Sequence, residues 1–214
     1  MICIVCKNTN TKAFAHFDNK KYWQCGNCKA IYLDKRNYLN SKEEYAHYLT
    51  HNNDIEDERY KLFLSKLMNP LIKELKENST GLDYGCGPGP ALAKMLEEIG
   101  HKIYVYDPFF FPLHENLSKK YDFICCTETI EHFHDPYKEF YNFNELIINK
   151  GVIGLMTNFY TDDNLFEDWY YRKDPTHVVF YCEETFYSLA KILKWNCEII
   201  EKNIVIFKNF SSRS

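Results

Sequence analysis

The stretch Thr80-Gly81-Leu82-Asp83-Tyr84-Gly85-Cys86-Gly87-Pro88-Gly89-Pro90 places glycines at 85, 87 and 89. Glycine at every second position suits neither a regular strand nor a stable helix, so the backbone must bend there and leave room for something to approach it. After it, Ala91 to Ile99 repeats apolar residues at helical spacing and Gly100 supplies a C-terminal stop. The segment therefore predicts strand, glycine turn, helix. Such a unit points backbone N–H groups and a helix N-terminus at one spot, which suits the polar end of a nucleotide-like ligand. The next predicted strand, Ile103-Tyr104-Val105-Tyr106, ends in Asp107. A carboxylate at the end of a parallel strand is an acceptor-only group suited to a ribose diol.

Spacing separates the ligands that use this geometry. A dinucleotide fingerprint requires Gly-x-Gly-x-x-Gly, but counting from Gly85 and Gly87 the third position is Pro90. The sequence instead reads Asp-x-Gly-x-Gly-x-Gly from Asp83 to Gly89. This resembles motif I of the class I S-adenosylmethionine-dependent methyltransferases, with Asp107 matching the acidic residue after that family's second strand. The resemblance covers about 41 to 208. It implies an α/β, Rossmann-like sheet and a cofactor site drawing on Asp83, Gly85, Cys86, Gly87, Gly89, Asp107, Pro108 and Thr127.

Only Pro108 to Lys120 separates the second strand from the next apolar run, Tyr121 to Cys126. Thirteen residues cannot hold a helix, a strand and another helix. The family's usual third strand is therefore expected to be missing, and with it the acidic residue that commonly meets the adenine amino group. Phe109, Phe110 and Phe111 are candidates to cover that face instead.

Thr127-Glu128-Thr129-Ile130-Glu131-His132 follows. If it turns into a helix, Glu128, Glu131 and His132 share one face, because residues three and four apart are neighbours. Such a set can bind a hard divalent ion, or His132 can act as a general base oriented by a carboxylate. In a purely structural alternative, Glu128 fixes backbone and His132 caps the turn. Glu-x-x-Glu-His is similar to the motif of ubiquinone-pathway O-methyltransferases and small-RNA 2′-O-methyltransferases. That likeness implies Mg²⁺ or a similar ion at Glu128, Glu131 and His132, with His177 of Asp174-Pro175-Thr176-His177 as the later histidine of the RNA enzymes; otherwise His132 or His177 is the candidate base.

The N-terminal stretch carries Cys3-x-x-Cys6 and, after eighteen intervening residues, Cys25-x-x-Cys28. Two such pairs close a tetrahedral Zn²⁺ site, and four thiolates leave no open position, so the metal is expected to be structural. Short strands around Ala13–Phe17, Tyr22–Trp23 and Ala30–Leu33 complete a zinc-ribbon or rubredoxin-like unit. So few aliphatic residues need a staple. The expected divisions are 1–40 for this unit, 41–79 for a helical cover and 80–214 for the methyltransferase domain. The cover has a capping box at Ser41–Glu44 and a second helix from Asp57 with a kink or restart at Asn69-Pro70. His51, Arg59 and Tyr60 are placed there to reach the methionine end of the cofactor or the substrate.

After the fifth strand, Gly151–Thr157, a loop rich in aromatic and charged residues reads as the substrate side. Trp169, Tyr170 and Tyr171 are candidates to wall a planar acceptor, and Arg172 or Lys173 to meet an anionic group. Val178–Tyr181 continues the sheet edge or closes the loop. A last helix from Glu183 to Leu193 and a closing hairpin end the sequence.

Composition narrows the partners. The net charge of −4 combines seven Lys/Arg against two Asp in residues 1–40, a sum of +5, with −9 over the remainder. An acidic body is a poor general binder of phosphate backbones, so a small-molecule acceptor is favoured over RNA. No apolar run approaches the ~20 residues of a membrane span, and the first residues lack a signal-peptide layout. The nine cysteines are expected to be reduced thiols of a cytoplasmic protein. The expected activity is methyl transfer to an oxygen or nitrogen. The alternatives are an RNA 2′-O-methyltransferase-like enzyme using the Glu-x-x-Glu-His and later His set, or a cofactor-binding adaptor without catalysis.

Overall fold

The computed structural model describes residues 1–50, 54–161 and 166–209. Three strands, β1 (Thr11–Phe17), β2 (Lys20–Cys25) and β3 (Ile31–Leu33), form an antiparallel meander between and beyond the cysteine pairs. Helices α1 (Ser41–Tyr48) and α2 (Glu58–Ile72) come next. Asn40 caps α1, accepting from the backbone N–H of Lys42 and Glu43 while the Glu43 carboxylate returns to the Asn40 N–H. The capping box thus starts one residue before Ser41, because Asn40 is the residue with extended backbone. In α2, Leu64, Leu67, Met68 and Leu71 form the buried stripe, and Pro70 sits inside the helix without ending it.

The remaining elements are β4 (Thr80–Tyr84), α3 (Ala91–Glu98), β5 (Lys102–Tyr106), β6 (Tyr121–Thr127), α4 (Pro136–Leu146), β7 (Ile147–Met156), the single turn α5 (Tyr170–Lys173), β8 (Val179–Phe180), α6 (Glu183–Leu193), β9 (Trp195–Glu201) and β10 (Ile204–Asn209). Six strands make the central sheet in the order β5-β4-β6-β7-β10-β9. The pairs β4/β5, β4/β6 and β6/β7 are parallel; β10 is antiparallel to both its neighbours. β5 is the edge where a third strand would add. Between Asp107 and Tyr121 lie only an Asp107–Phe111 bridge and one 3₁₀ turn, His114–Ser118. This is the mixed α/β, mostly parallel Rossmann-like sheet that the sequence implied.

The two sheet faces bury separate clusters. Leu64, Leu67, Leu71, Leu92 and Leu96 of α2 and α3 pack on Phe123, Val152 and Met156. On the other face Phe140, Phe143, Phe186 and Leu189 of α4 and α6 cover Leu82, Ile124 and Leu155, and this cluster runs on into Val5, Ile31 and Tyr32. Gly81 of β4 faces the Phe123 ring, where an added Cβ would lie 2.2 Å from Cζ. Gly81→Ala is therefore expected to destabilise the fold by about 1–3 kcal/mol, the usual cost of overpacking, read as a lower urea midpoint at unchanged slope. An unshifted midpoint would show that the ring gives way freely.

Two segments depart from the sequence reading. No α-helix starts within the Thr127–His132 segment: Glu128 adopts φ +46° and only one 3₁₀ turn, Ile130–His132, stands between β6 and α4. Residues 178–181 neither extend the central sheet nor merely close a loop. Instead β8 pairs with β3, Ile31 opposite Phe180 and Tyr32 opposite Val179, giving a second sheet β1-β2-β3-β8. No helix among the described residues is long and apolar enough to cross a membrane.

Candidate active site and cysteine cluster

At the end of β4 the chain turns through Gly85 (φ +78°) and Gly87 (φ +64°), both in the left-handed region. The turn is pinned from β5. Gly85 N–H donates to the Tyr106 carbonyl at 2.7 Å, and Asp107 Oδ2 accepts from Gly87 N–H at 3.0 Å. Asp107 Oδ1 accepts from the N–H groups of Phe109 (2.8 Å) and Phe110 (3.0 Å). A cleft of about 790 Å³ opens above this turn, within the range of small-molecule sites. Gly85, Cys86, Gly87, Asp107, Pro108 and Thr127 all line it. Gly89 and Asp83 do not. Asp83 lies beneath the turn, 3% exposed, and burial pushes its carboxyl up to about 7.

Helix α1 lies across the cleft. Tyr45 packs on Phe109 and Phe110, Tyr48 meets the His132 ring edge-on at 5.3 Å, and His134 Nε2 is 2.8 Å from buried Glu44. Phe109 and Phe110 line the cleft. Tyr60 also lines it, its phenol pushed up to about 12 by burial, whereas Arg59 is exposed and bonded to Asp57. His51 lies outside the described residues.

The opposite wall brings Glu131, His132 and His177 together, with one potential ligand atom from each within 4.8 Å of the others. His132 Nδ1 lies 3.1 Å from the Thr176 carbonyl and His177 Nδ1 2.7 Å from the Tyr171 carbonyl. A carbonyl only accepts, so both rings carry hydrogen on Nδ1, and in the neutral form Nε2 bears the lone pair. Glu131 is fully buried; it accepts from Thr157 Oγ1 at 3.0 Å and from the Tyr171 hydroxyl. Burial, then the neighbouring Glu128, pushes the Glu131 carboxyl well above the usual carboxylate range. Glu128 stands outside this trio although it lines the same cleft. Its Oε1 is buried with no hydrogen-bond partner among the described residues, and burial raises its carboxyl to about 7. The helical face expected for Glu128, Glu131 and His132 is thus replaced by a sharp turn, held by Thr129 Oγ1 on the Gly85 carbonyl and Glu128 N–H on the Met156 carbonyl.

The loop after β7 behaves differently from the sequence expectation. None of residues 169–173 lines the cleft. Tyr170 is exposed, Trp169 stacks among Phe166, Tyr171 and Phe180, and Lys173 pairs with Asp168. Tyr171 is buried behind the site, and Arg172, 3% exposed, faces the cysteine unit rather than an anion site. Thr157 and Tyr171 thus emerge as supports of Glu131, which no local pattern in the sequence marks.

Cys3, Cys6, Cys25 and Cys28 form one cluster, with Sγ atoms 3.7 Å apart for Cys3/Cys28 and 3.6 Å for Cys6/Cys25. Four thiolates around Zn²⁺ at ~2.3 Å stand ~3.8 Å apart along the edges of a tetrahedron, so the spacing fits. The N–H groups of Val5 and Cys28 point at Cys3 Sγ and Cys25 Sγ. Four thiolates packed this closely repel one another, so a cation among them would hold them together.

A family model described as a methyltransferase domain matches residues 55–200. No curated protein matches the chain. The 1,6-didemethyltoxoflavin-N1-methyltransferase of Burkholderia thailandensis, solved with bound 1,6-didemethyltoxoflavin and S-adenosylhomocysteine, shares 14% identity at a TM-score of 0.53 over 94% of this chain and 100% of that one. A Galdieria sulphuraria protein provisionally assigned as a sarcosine dimethylglycine methyltransferase shares 16% identity at 0.53 over 74% and 75%. At such identities the likeness is one of fold. The family match spans well over half the chain, on that same fold; the chain belongs to the methyltransferase domain family, and it is an S-adenosylmethionine-dependent methyltransferase.

Proposed function

We propose that the acceptor is an oxygen or nitrogen of a small molecule, held in the cleft between the glycine turn and the Glu131, His132 and His177 wall. The observation carrying this reading is that one cleft contains both the left-handed Gly85–Gly87 backbone and two imidazoles with fixed Nδ1–H tautomers. When bound, the cofactor supplies a sulfonium methyl group, an electrophile that needs alignment more than activation. Gly85, Cys86 and Gly87 let its methionine portion approach the backbone, while Gly89 carries the turn into α3 and Asp83 braces it from below. Asp107 accepts from the ribose hydroxyls beside the N–H groups it already holds, and Pro108 and Thr127 flank it. His132 or His177 takes the acceptor proton on Nε2 as general base.

A second reading is favoured by the 4.8 Å grouping of Glu131, His132 and His177. Two imidazoles and a carboxylate suit a divalent transition ion such as Mn²⁺ better than the harder Mg²⁺, with Glu128 near enough to raise the Glu131 carboxyl. Either way the acidic remainder of the chain favours a small acceptor over RNA. The toxoflavin enzyme, holding 1,6-didemethyltoxoflavin together with S-adenosylhomocysteine, is in keeping with it. Zn²⁺ at Cys3, Cys6, Cys25 and Cys28 has a structural role in this proposal.

The test is calorimetry with S-adenosylhomocysteine, a Mn²⁺ titration, and S-adenosylhomocysteine release from S-adenosylmethionine in a metabolite extract. His177→Ala should lower release about 10²- to 10⁴-fold while leaving the nucleoside affinity within about threefold. Mn²⁺ binding lost in Glu131→Gln selects the metal role over the base. Unchanged release in His177→Ala and His132→Ala removes both roles.

A further inference from the structure

Arg172 is a buried guanidinium that bridges two parts of the chain. Its Nε and Nη2 donate to the Glu167 carbonyl at 3.0 and 2.7 Å, Nη1 donates to the Tyr22 hydroxyl at 3.2 Å, and Nη2 also reaches Asp18 Oδ2 at 2.9 Å. The guanidinium carbon lies 5.7 Å from the Phe17 ring centroid and 5.8 Å from that of Tyr22. Asp18 is 73% exposed, so that ion pair is weak; the Tyr22 hydroxyl and Glu167 carbonyl hold the planar fork. The preceding residue, Tyr171, donates its hydroxyl to Glu131 and accepts at its carbonyl from His177 Nδ1–H. Beyond His177, Val178 accepts from Leu33 N–H at 2.9 Å and donates its own N–H to the Glu131 carbonyl at 2.9 Å. Residues Tyr22 and Leu33 of the cysteine unit therefore grip the chain on both sides of His177.

We propose that the N-terminal cysteine unit is a clamp on the acceptor half of the active site, and that Arg172 is the positioning residue through which it sets Tyr171 and His177. The glycine turn takes its own bonds from Tyr106 and Asp107 and meets the acceptor half through one side-chain bond, the Thr129 hydroxyl on the Gly85 carbonyl. Loosening the clamp should thus disturb one half of the cleft and spare the other. This goes beyond the proposed reaction and holds whether His177 acts as a base or a ligand.

The test uses the full zinc-loaded chain with Arg172→Gln, Arg172→Lys and Tyr22→Phe. Amide exchange by mass spectrometry reports residues 170–181 against 80–90, long-range ¹H–¹⁵N spectra report the ring tautomer of His177, and calorimetry reports S-adenosylhomocysteine affinity. In Arg172→Gln, exchange over 170–181 should rise by about tenfold or more, and His177 should pass from Nδ1–H to a mixture with Nε2–H. Exchange over 80–90 and nucleoside affinity should stay within about twofold. Lysine, a single-point donor, should restore part of the effect, and Tyr22→Phe should give a smaller change of the same sign. The proposal is overturned if folded Arg172→Gln keeps the Nδ1–H tautomer with unchanged exchange, or if exchange rises equally over 80–90. Should Arg172→Gln not fold, Tyr22→Phe decides by the same two readouts. A wild-type chain that binds no S-adenosylhomocysteine would sink the methyl-transfer reading and leave the clamp standing.

Discussion

Gly85→Ala is expected to lose most of its affinity for S-adenosylhomocysteine while keeping its overall fold. An added Cβ would lie 2.1 Å from Thr129 Cγ2, 2.5 Å from Oγ1 and 2.8 Å from Cβ. Thr129 cannot swing aside freely, because its hydroxyl is bonded to the Gly85 and Thr127 carbonyls. The backbone adds its own cost, since φ is +78° there. Left-handed backbone costs an L-residue about 1–2 kcal/mol and overpacking about 1–3 kcal/mol. Relieving both by moving the turn would reduce cofactor affinity by between about thirtyfold and several thousandfold, at 1.4 kcal/mol per factor of ten. Thr129→Ala in the same chain removes the two nearest atoms but leaves Cβ and the backbone strain, so it should rescue only part. Calorimetry reads the loss and far-ultraviolet dichroism the fold; an affinity within threefold of wild type would show that nothing binds against Gly85.

Removing the proposed zinc from the four cysteines should have the largest effect on stability. Structural Zn²⁺ contributes about 10–16 kcal/mol of apparent binding energy in isolated fingers, against a total of about 5–15 kcal/mol for a whole domain. The metal-free unit would retain four packed thiols, three of them fully buried, and an antiparallel meander whose outer strand β1 is largely exposed. It cannot come apart alone. Its Val5, Ile31, Tyr32 and Leu33 belong to the same buried cluster as Phe180 and Phe186, and Thr185 donates to the Cys28 carbonyl. Chelation under reducing conditions, or Cys28→Ser, is expected to lower the melting temperature by more than about 10 °C, since each kcal/mol shifts a chain of this size by about 2–4 °C. Scanning calorimetry with metal analysis measures this. A protein free of zinc with an unshifted transition would remove the structural metal.

Much of the fold was legible because its signals are local. Alternating glycines after a short apolar strand, then a helical stripe, identify a strand–turn–helix unit within twenty residues, and the structure has β4, the turn and α3 in those places. The short gap between Asp107 and Tyr121 limited the sheet through chain length alone. The segment after β6 misled for the opposite reason. Glu128, Glu131 and His132 are spaced as on a helix, yet Thr129 and Glu128 bond to the Gly85 and Met156 carbonyls, and those distant acceptors outweigh local helix propensity. The substrate-side expectation for residues 169–173 failed similarly. Their aromatic and charged character was plain, but Tyr171 and Arg172 turn inward toward Glu131 and Tyr22.

The sequence by itself determined the glycine turn, the carboxylate of Asp107 after the next strand and the paired cysteines, because each depends on residue types a few positions apart. Only the tertiary structure decided that Tyr171 supports Glu131 across 40 residues and that Arg172 meets Tyr22 across 150. Those meetings follow from β8 leaving the central sheet to pair with β3, and strand partnership is set by the packing of the whole chain rather than by any periodicity within a segment.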